Sequence, residues 1–86
     1  MKIYYHRNFE KQLVKLREAE RKKFLERSSL FVRQPFHPVL NNHELSGKYR
    51  GYRSINIGGD LRVLYEPIGS DVVLFVTIDP HSNLYK

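Results

Sequence analysis

The chain contains no cysteine among its 86 residues. That excludes disulfide staples and thiolate metal sites. No apolar run approaches the ~20 residues needed to cross a bilayer, so no membrane association is expected. The opening Met1-Lys2-Ile3-Tyr4-Tyr5-His6-Arg7 lacks the apolar stretch of a secretory signal. Internal repeats, low-complexity tracts and linkers are missing too. So are a phosphate loop, an HExxH pair and a Gly-x-Ser-x-Gly elbow. The histidines are His6, His37, His43 and His81, and none pair one helical turn apart on an expected helix. No metal or other cofactor is therefore expected. These absences describe a single cytoplasmic domain over residues 1–86, held together by packing alone.

Acidic charge is also scarce. Fifteen Lys and Arg face nine Asp and Glu, which gives a net charge of +6 and a pI near 9.8. The imbalance is concentrated: residues 1–34 hold ten basic and four acidic residues, and residues 35–86 hold five of each. Such a basic half reads either as the solvated face of amphipathic helices or as a surface for phosphates or an acidic partner.

The elements follow from periodicity. Residues 2–6 read as a first strand, and Asn8 as the cap of a helix carrying Phe9, Leu13 and Leu16 at helical spacing. The stripe pauses around Glu18-Ala19-Glu20 and resumes at Phe24, Leu25, Phe31 and Val32. That predicts a helical hairpin, or one bent helix, ending before Gln34-Pro35. An irregular connector runs from Pro35 to Asn42. Residues 52–57 alternate with Ile55 and Ile57 on one face, Gly58-Gly59 is a turn, and Leu61 to Glu66 is the return strand. A second turn spans Pro67 to Asp71. The apolar run from Val72 to Ile78 reads as a central strand covered on both faces. Short turns make these three strands antiparallel. The expected fold class is α+β, with the helices on one face of the sheet and the other face partly open.

Three segments carry residues suited to chemistry. His43-Glu44-Leu45-Ser46-Gly47 precedes Lys48-Tyr49-Arg50-Gly51-Tyr52-Arg53. There, cations can hold phosphates and tyrosines can stack on unpaired bases, or the stretch is simply a turn leading into an amphipathic edge strand. In Asp60-Leu61-Arg62-Val63-Leu64-Tyr65, Arg62 points away from Leu61, Val63 and Tyr65. It needs an anion, which is either Glu66 or Asp79 in a salt bridge or a phosphate. In His81-Ser82-Asn83-Leu84-Tyr85, one helical turn puts His81 and Tyr85 on a shared face, unless the terminus frays. Asn56, on the expected open face, completes the candidate ligand-binding set of Lys48, Tyr49, Arg50, Tyr52 and Arg53.

Taken in order, His43-x-Leu45-x-Gly47, Gly51-Tyr52-Arg53, Asp60, Tyr65 and the closing His81-Ser82-x-Leu84-Tyr85 resemble the RelE/ParE toxin superfamily, and its YafQ-like branch most closely. The helical first half matches in character only. The resemblance implies a two-layer RelE-like domain, with an N-terminal strand and helical hairpin packed on an antiparallel sheet. It implies an mRNA-cutting toxin that usually acts on the ribosome. A small acidic antitoxin would neutralise it, and operator DNA would be bound only through the toxin–antitoxin complex. Within that branch, positions matching His43, Asp60 and His81 are implicated in catalysis, and an aromatic matching Tyr85 completes the site. Arg62 matches an active-site arginine of RelE-like members instead. Two positions depart from the pattern. Asn56 stands where relatives carry histidine or lysine, which removes an acid or base. Asp79-Pro80 replaces the usual Gly-Thr or Gly-Ser before the terminal histidine.

The expected chemistry is metal-independent attack by the RNA 2′-OH. His81 is the expected acid and His43 the base, and the two are interchangeable. Asp60 would orient or charge-stabilise a histidine, Arg62 with Arg53 or Lys48 would stabilise the phosphorane, and Tyr85 would stack on a base. The competing readings are a ParE-like gyrase poison and an inactive relative that only binds antitoxin and operator DNA. The terminal His81–Tyr85 pair weighs against the first.

Overall fold

A computed structural model describes residues 1–84. The elements in chain order are β1 (Lys2–Tyr5), α1 (Arg7–Val14), α2 (Glu18–Arg33), β2 (His43–Glu44), β3 (Arg53–Gly58), β4 (Leu61–Gly69), β5 (Val72–Pro80) and α3 (His81–Leu84). Short 3-10 turns at Pro38–Leu40 and Gly47–Tyr49 punctuate the connector. The architecture is α+β, with the helices packed on one five-stranded sheet in the order β1-β5-β4-β3-β2.

The helical hairpin forms as its sequence requires, with a different cap. His6, not Asn8, caps α1: its Nδ1 accepts the Asn8 N–H at 3.0 Å. At the start of α2 the Glu20 carboxylate reaches back and accepts the Arg17 backbone N–H at 3.0 Å. That hydrogen bond, with the Arg17 guanidinium beside it, holds the Glu20 carboxyl below the usual carboxylate range. Phe9 of α1 and Phe24 and Phe31 of α2 are the buried side of the hairpin.

The sheet is mixed rather than purely antiparallel. β1 pairs parallel with β5, Lys2 opposite Val72 through Tyr5 opposite Phe75, and every other pairing is antiparallel. The helical hairpin and strands β2 to β4 lie between β1 and its partner in sequence, and that long connection lets the two strands run in the same direction. Beyond Tyr5 the β5 edge would be bare. Gln12 of α1 replaces the missing strand there, its Oε1 accepting the Ile78 N–H and the Thr77 hydroxyl, both at 2.9 Å.

Two strands differ from expectation. β4 runs through Pro67 to Gly69, a stretch with the composition of a turn. By Pro67 the neighbour β3 has ended, so the proline's missing N–H breaks no ladder bond. β5 is not covered on both faces: Val73, Phe75 and Ile78 are buried while Leu74 and Val76 are half-exposed. Leu64 faces Thr77 and Tyr65 faces Phe75, so Val76 is an extra, bulged residue. The bulge turns both Phe75 and Ile78 inward despite their odd spacing. The strand covered on both faces is β4, where Val63, Leu64 and Tyr65 are all buried.

Phe75 is the hub of the core. Its ring lies 5.6 to 6.2 Å from those of Tyr5, Phe9, Phe24, Phe31 and Tyr65. Ile55 and Ile57 of β3, Leu61 and Val63 of β4, and Ile78 of β5 complete the helix-facing layer. Leu64, Ser54 and Leu84 are buried outside that cluster.

Candidate active site

Antiparallel partners point to the same face of a sheet. His43 faces Ser54, Ser54 faces Leu64, and Leu64 faces Thr77. Two residues along, Asn56 faces Arg62 and Arg62 faces Asp79. All of these alternate with the Ile55, Ile57 and Val63 positions that face the helices. The polar row therefore belongs to the face away from the hairpin.

His81 follows Pro80, four residues beyond Thr77. Arg62 thus stands close to the middle of the diagonal joining His43 to His81. With ~4.8 Å between strands and ~3.3 Å per residue, that diagonal is about 20 Å between Cα atoms in a flat sheet, and coiling of the sheet shortens it. In this register Arg62 lies between the chain positions of His43 and His81.

Among the described residues the Arg62 guanidinium meets no carboxylate. Among the described residues neither Glu66 nor Asp79 lies within ion-pair distance of it. Its Nη1 instead donates to Asn56 Oδ1 at 2.8 Å, Gly59 O at 3.0 Å and Leu61 O at 3.2 Å. Asp79 accepts from Asn83 Nδ2 at 3.4 Å.

The C-terminal turn is tied at both ends. Asp60 accepts the His81 N–H on its backbone oxygen at 2.7 Å. Its carboxylate Oδ2 receives longer contacts from the Ser82 N–H at 3.4 Å and the Ser82 hydroxyl at 3.3 Å. At the far end the Tyr49 hydroxyl donates to Leu84 O at 2.6 Å. Leu84 is buried, and so are Leu64 and Ser54, the latter two on the sheet face away from the hairpin.

Three of the histidines divide by the partner of Nδ1. His6 and His37 each use Nδ1 as a cap acceptor, His37 receiving the Val39 N–H at 3.1 Å. At His43 the partner of Nδ1 is the Asn41 carbonyl at 2.8 Å, which can only accept. That bond assigns the proton to Nδ1 and leaves the Nε2 lone pair of an exposed ring facing solvent.

The remaining candidates divide by location. Lys48, Tyr49 and Arg50 belong to the 3-10 turn and its cap, between β2 and β3, and Tyr52 leads into β3. A depression of about 430 Å³ lies alongside, lined by Glu44, Leu45, Ser46, Gly47, Arg50 and Gly51. Arg53 is not brought to this face. It shares the helix-facing side with Tyr65, its Nε donates to Asn42 Oδ1 at 2.8 Å, and its guanidinium lies 5.4 Å from the centre of the Phe36 ring. The alternation with Ile55 and Ile57 already carried that signal. Tyr65 is a core residue whose hydroxyl accepts from Asn42 Nδ2 at 2.7 Å. Tyr85 lies outside the described residues. Among the described residues no three His, Asp or Glu side chains gather closely enough to hold a metal ion.

The sequence profile described as a bacterial toxin of type II toxin–antitoxin system, YafQ, matches residues 1–86. The chain belongs to the YafQ family. It is therefore a toxin of a type II toxin–antitoxin system, related to RelE. Among solved structures, YafQ from E. coli strain BL21(DE3) superposes with a TM-score of 0.77 at 22% identity, over 98% of this chain and 97% of that one. The YoeB/ParE toxin from Agrobacterium tumefaciens gives 0.78 at 20% identity, over 94% and 99%. The toxin of the E. coli DinJ–YafQ complex gives 0.70 at 20% identity, over 98% and 97%. At such identities the likeness speaks for the fold, and the YafQ family fold is the one described above. No curated protein matches the chain.

Proposed function

We propose that this YafQ-family toxin is a metal-independent endoribonuclease that cuts mRNA, on the ribosome, by attack of the RNA's own 2′-OH. The observation that carries the reading is Arg62, without a salt bridge among the described residues, on the sheet face away from the helical hairpin, with the exposed residues His43 and His81 placed on either side of it by the strand register.

In the reaction, a base removes the 2′-OH proton and the 2′ oxygen forms a bond to phosphorus. The bond to the 5′ oxygen then breaks, and an acid protonates that oxygen as it leaves. The products are a 2′,3′-cyclic phosphate and a 5′-OH end. His43 serves as base through Nε2, the nitrogen its Nδ1–H···O=C bond leaves unprotonated. His81 serves as acid. Arg62 balances the charge that builds on the phosphorane oxygens. Asp60 acts by fixing the turn that carries His81. Tyr85 supplies a ring for the adjoining base. Lys48 and Arg50 hold flanking phosphates, Tyr49 and Tyr52 line the same edge, and Asn56 lies under the scissile link.

The partner is a small acidic antitoxin, consistent with the +6 charge and with the DinJ-bound state of the E. coli relative. Operator DNA is contacted through that complex, and the site of action is the cytoplasm.

Purified protein incubated with mRNA, with and without ribosomes, tests the reading. Cleavage with 5′-OH ends is expected, and His81→Ala should slow it by roughly 10²–10⁴-fold. A wild-type rate in His81→Ala removes that residue from the chemistry. Cutting of a substrate with 2′-deoxyribose at the scission site ends the 2′-OH mechanism. Induced expression separates the rival: mRNA loss accompanies a ribonuclease, and DNA damage with intact mRNA accompanies a gyrase poison.

A further inference from the structure

We infer that Asn56 is the positioning residue that sets Arg62 as a two-pronged phosphate clamp, an inference that rests on the ribonuclease reading above. Arginine carries five N–H donors on a rigid plane. Among the described residues Arg62 makes its hydrogen bonds from Nη1, to Asn56 Oδ1, Gly59 O and Leu61 O. Nη1 lies on the side of the side-chain stem. The opposite edge, Nε–H with Nη2–H, has no partner among the described residues. That edge is the fork whose two parallel N–H groups match two oxygens of one phosphate.

The choice of acceptor matters as much as the geometry. Asp79 lies directly across from Arg62 in the β4–β5 register, yet the guanidinium turns to β3. Asn56 Oδ1 accepts as a carboxylate would, but it carries no charge. The backbone carbonyls of Gly59 and Leu61 are neutral as well. The arginine is thus oriented without being neutralised, and its full charge faces an incoming phosphate. An aspartate at this position would hold the same group and cancel it.

Rates of mRNA cleavage, with ribosomes present, test this with Asn56→Ala, Asn56→Asp, Arg62→Ala and the Asn56→Ala/Arg62→Ala double variant. Asn56→Ala should lower kcat ~10-fold and Asn56→Asp ~100-fold, the range for residues that orient a reactive group, with little change in KM. Adding Asn56→Ala to Arg62→Ala should cost nothing further, because the asparagine acts through the arginine. Asn56→Asp cutting as fast as wild type would overturn the inference. So would Asn56→Ala slowing the Arg62→Ala protein as much as it slows the wild type. A second measurement needs no cleavage: the Arg62 Nε–H resonance is followed by NMR during titration with a fully 2′-O-methylated RNA. A shift in wild type that vanishes in Asn56→Asp supports the clamp. If the wild type cuts no RNA but shows that shift, the ribonuclease reading falls and the clamp stands. If it cuts RNA and the Asn56 variants are silent, the clamp alone falls. If it neither cuts nor shifts, both fall.

Discussion

At Arg62, charge and shape can be separated by one substitution. Lysine keeps the positive charge on a point-like ammonium but loses the planar fork. Arg62→Lys should therefore retain RNA binding while single-turnover cleavage falls about 10²-fold, comparable to the loss of one transition-state donor. Retained cleavage would mean that charge alone suffices there. The histidines show the same dependence on local partners. His6 and His37 have an N–H against Nδ1 and serve as caps, and His43 has a carbonyl there and is left with a free Nε2. Three identical residue types in a sequence carry no mark of that division. Arg53 does carry one, since its parity with Ile55 and Ile57 assigns it to the helix side.

At the level of elements, two ties decide how the site is held. Gln12 closes the β5 edge that β1 is too short to reach. Gln12→Ala leaves the Ile78 N–H and the Thr77 hydroxyl without an acceptor and should cost about 1–2 kcal/mol in urea denaturation. An unchanged midpoint would mean that water replaces the carboxamide at no cost. Tyr49 pins the end of α3 through its hydroxyl. Tyr49→Phe keeps the ring and should lower global stability by no more than ~1 kcal/mol. Amide exchange in residues 81–84 should nevertheless quicken, and cleavage should slow with it. Quickened exchange at an unchanged rate would show that the fixed turn is not needed for chemistry. The hairpin and the three-strand meander were legible from periodicity and glycine turns. The parallel pairing of β1 was not, because a four-residue strand carries no local record of its partner.

For the whole molecule, one ring matters most. Phe75 touches five other aromatic rings drawn from β1, α1, α2 and β4, and so joins both layers. Phe75→Ala should cost roughly 3–5 kcal/mol. A domain of this size has only about 5–10 kcal/mol to lose. Its thermal midpoint should fall by roughly 15–30 °C, and a fall of less than 5 °C would show that the core repacks around the gap. A small chain with one such core has little redundancy.

Composition and local pattern were enough to set most of the element types, the α+β class, the basic character and the residues capable of proton transfer. Those properties depend on neighbours within a few positions along the chain. What each residue does was decided by contacts between distant segments. The bulge at Val76 chose which side chains of β5 turn inward. The register of β3 against β4 put Asn56, and not Asp79, on the guanidinium of Arg62. The hydrogen bonds from Asp60 and Tyr49 fixed the turn bearing His81. Register and closure are properties of the assembled sheet, and no single strand specifies them.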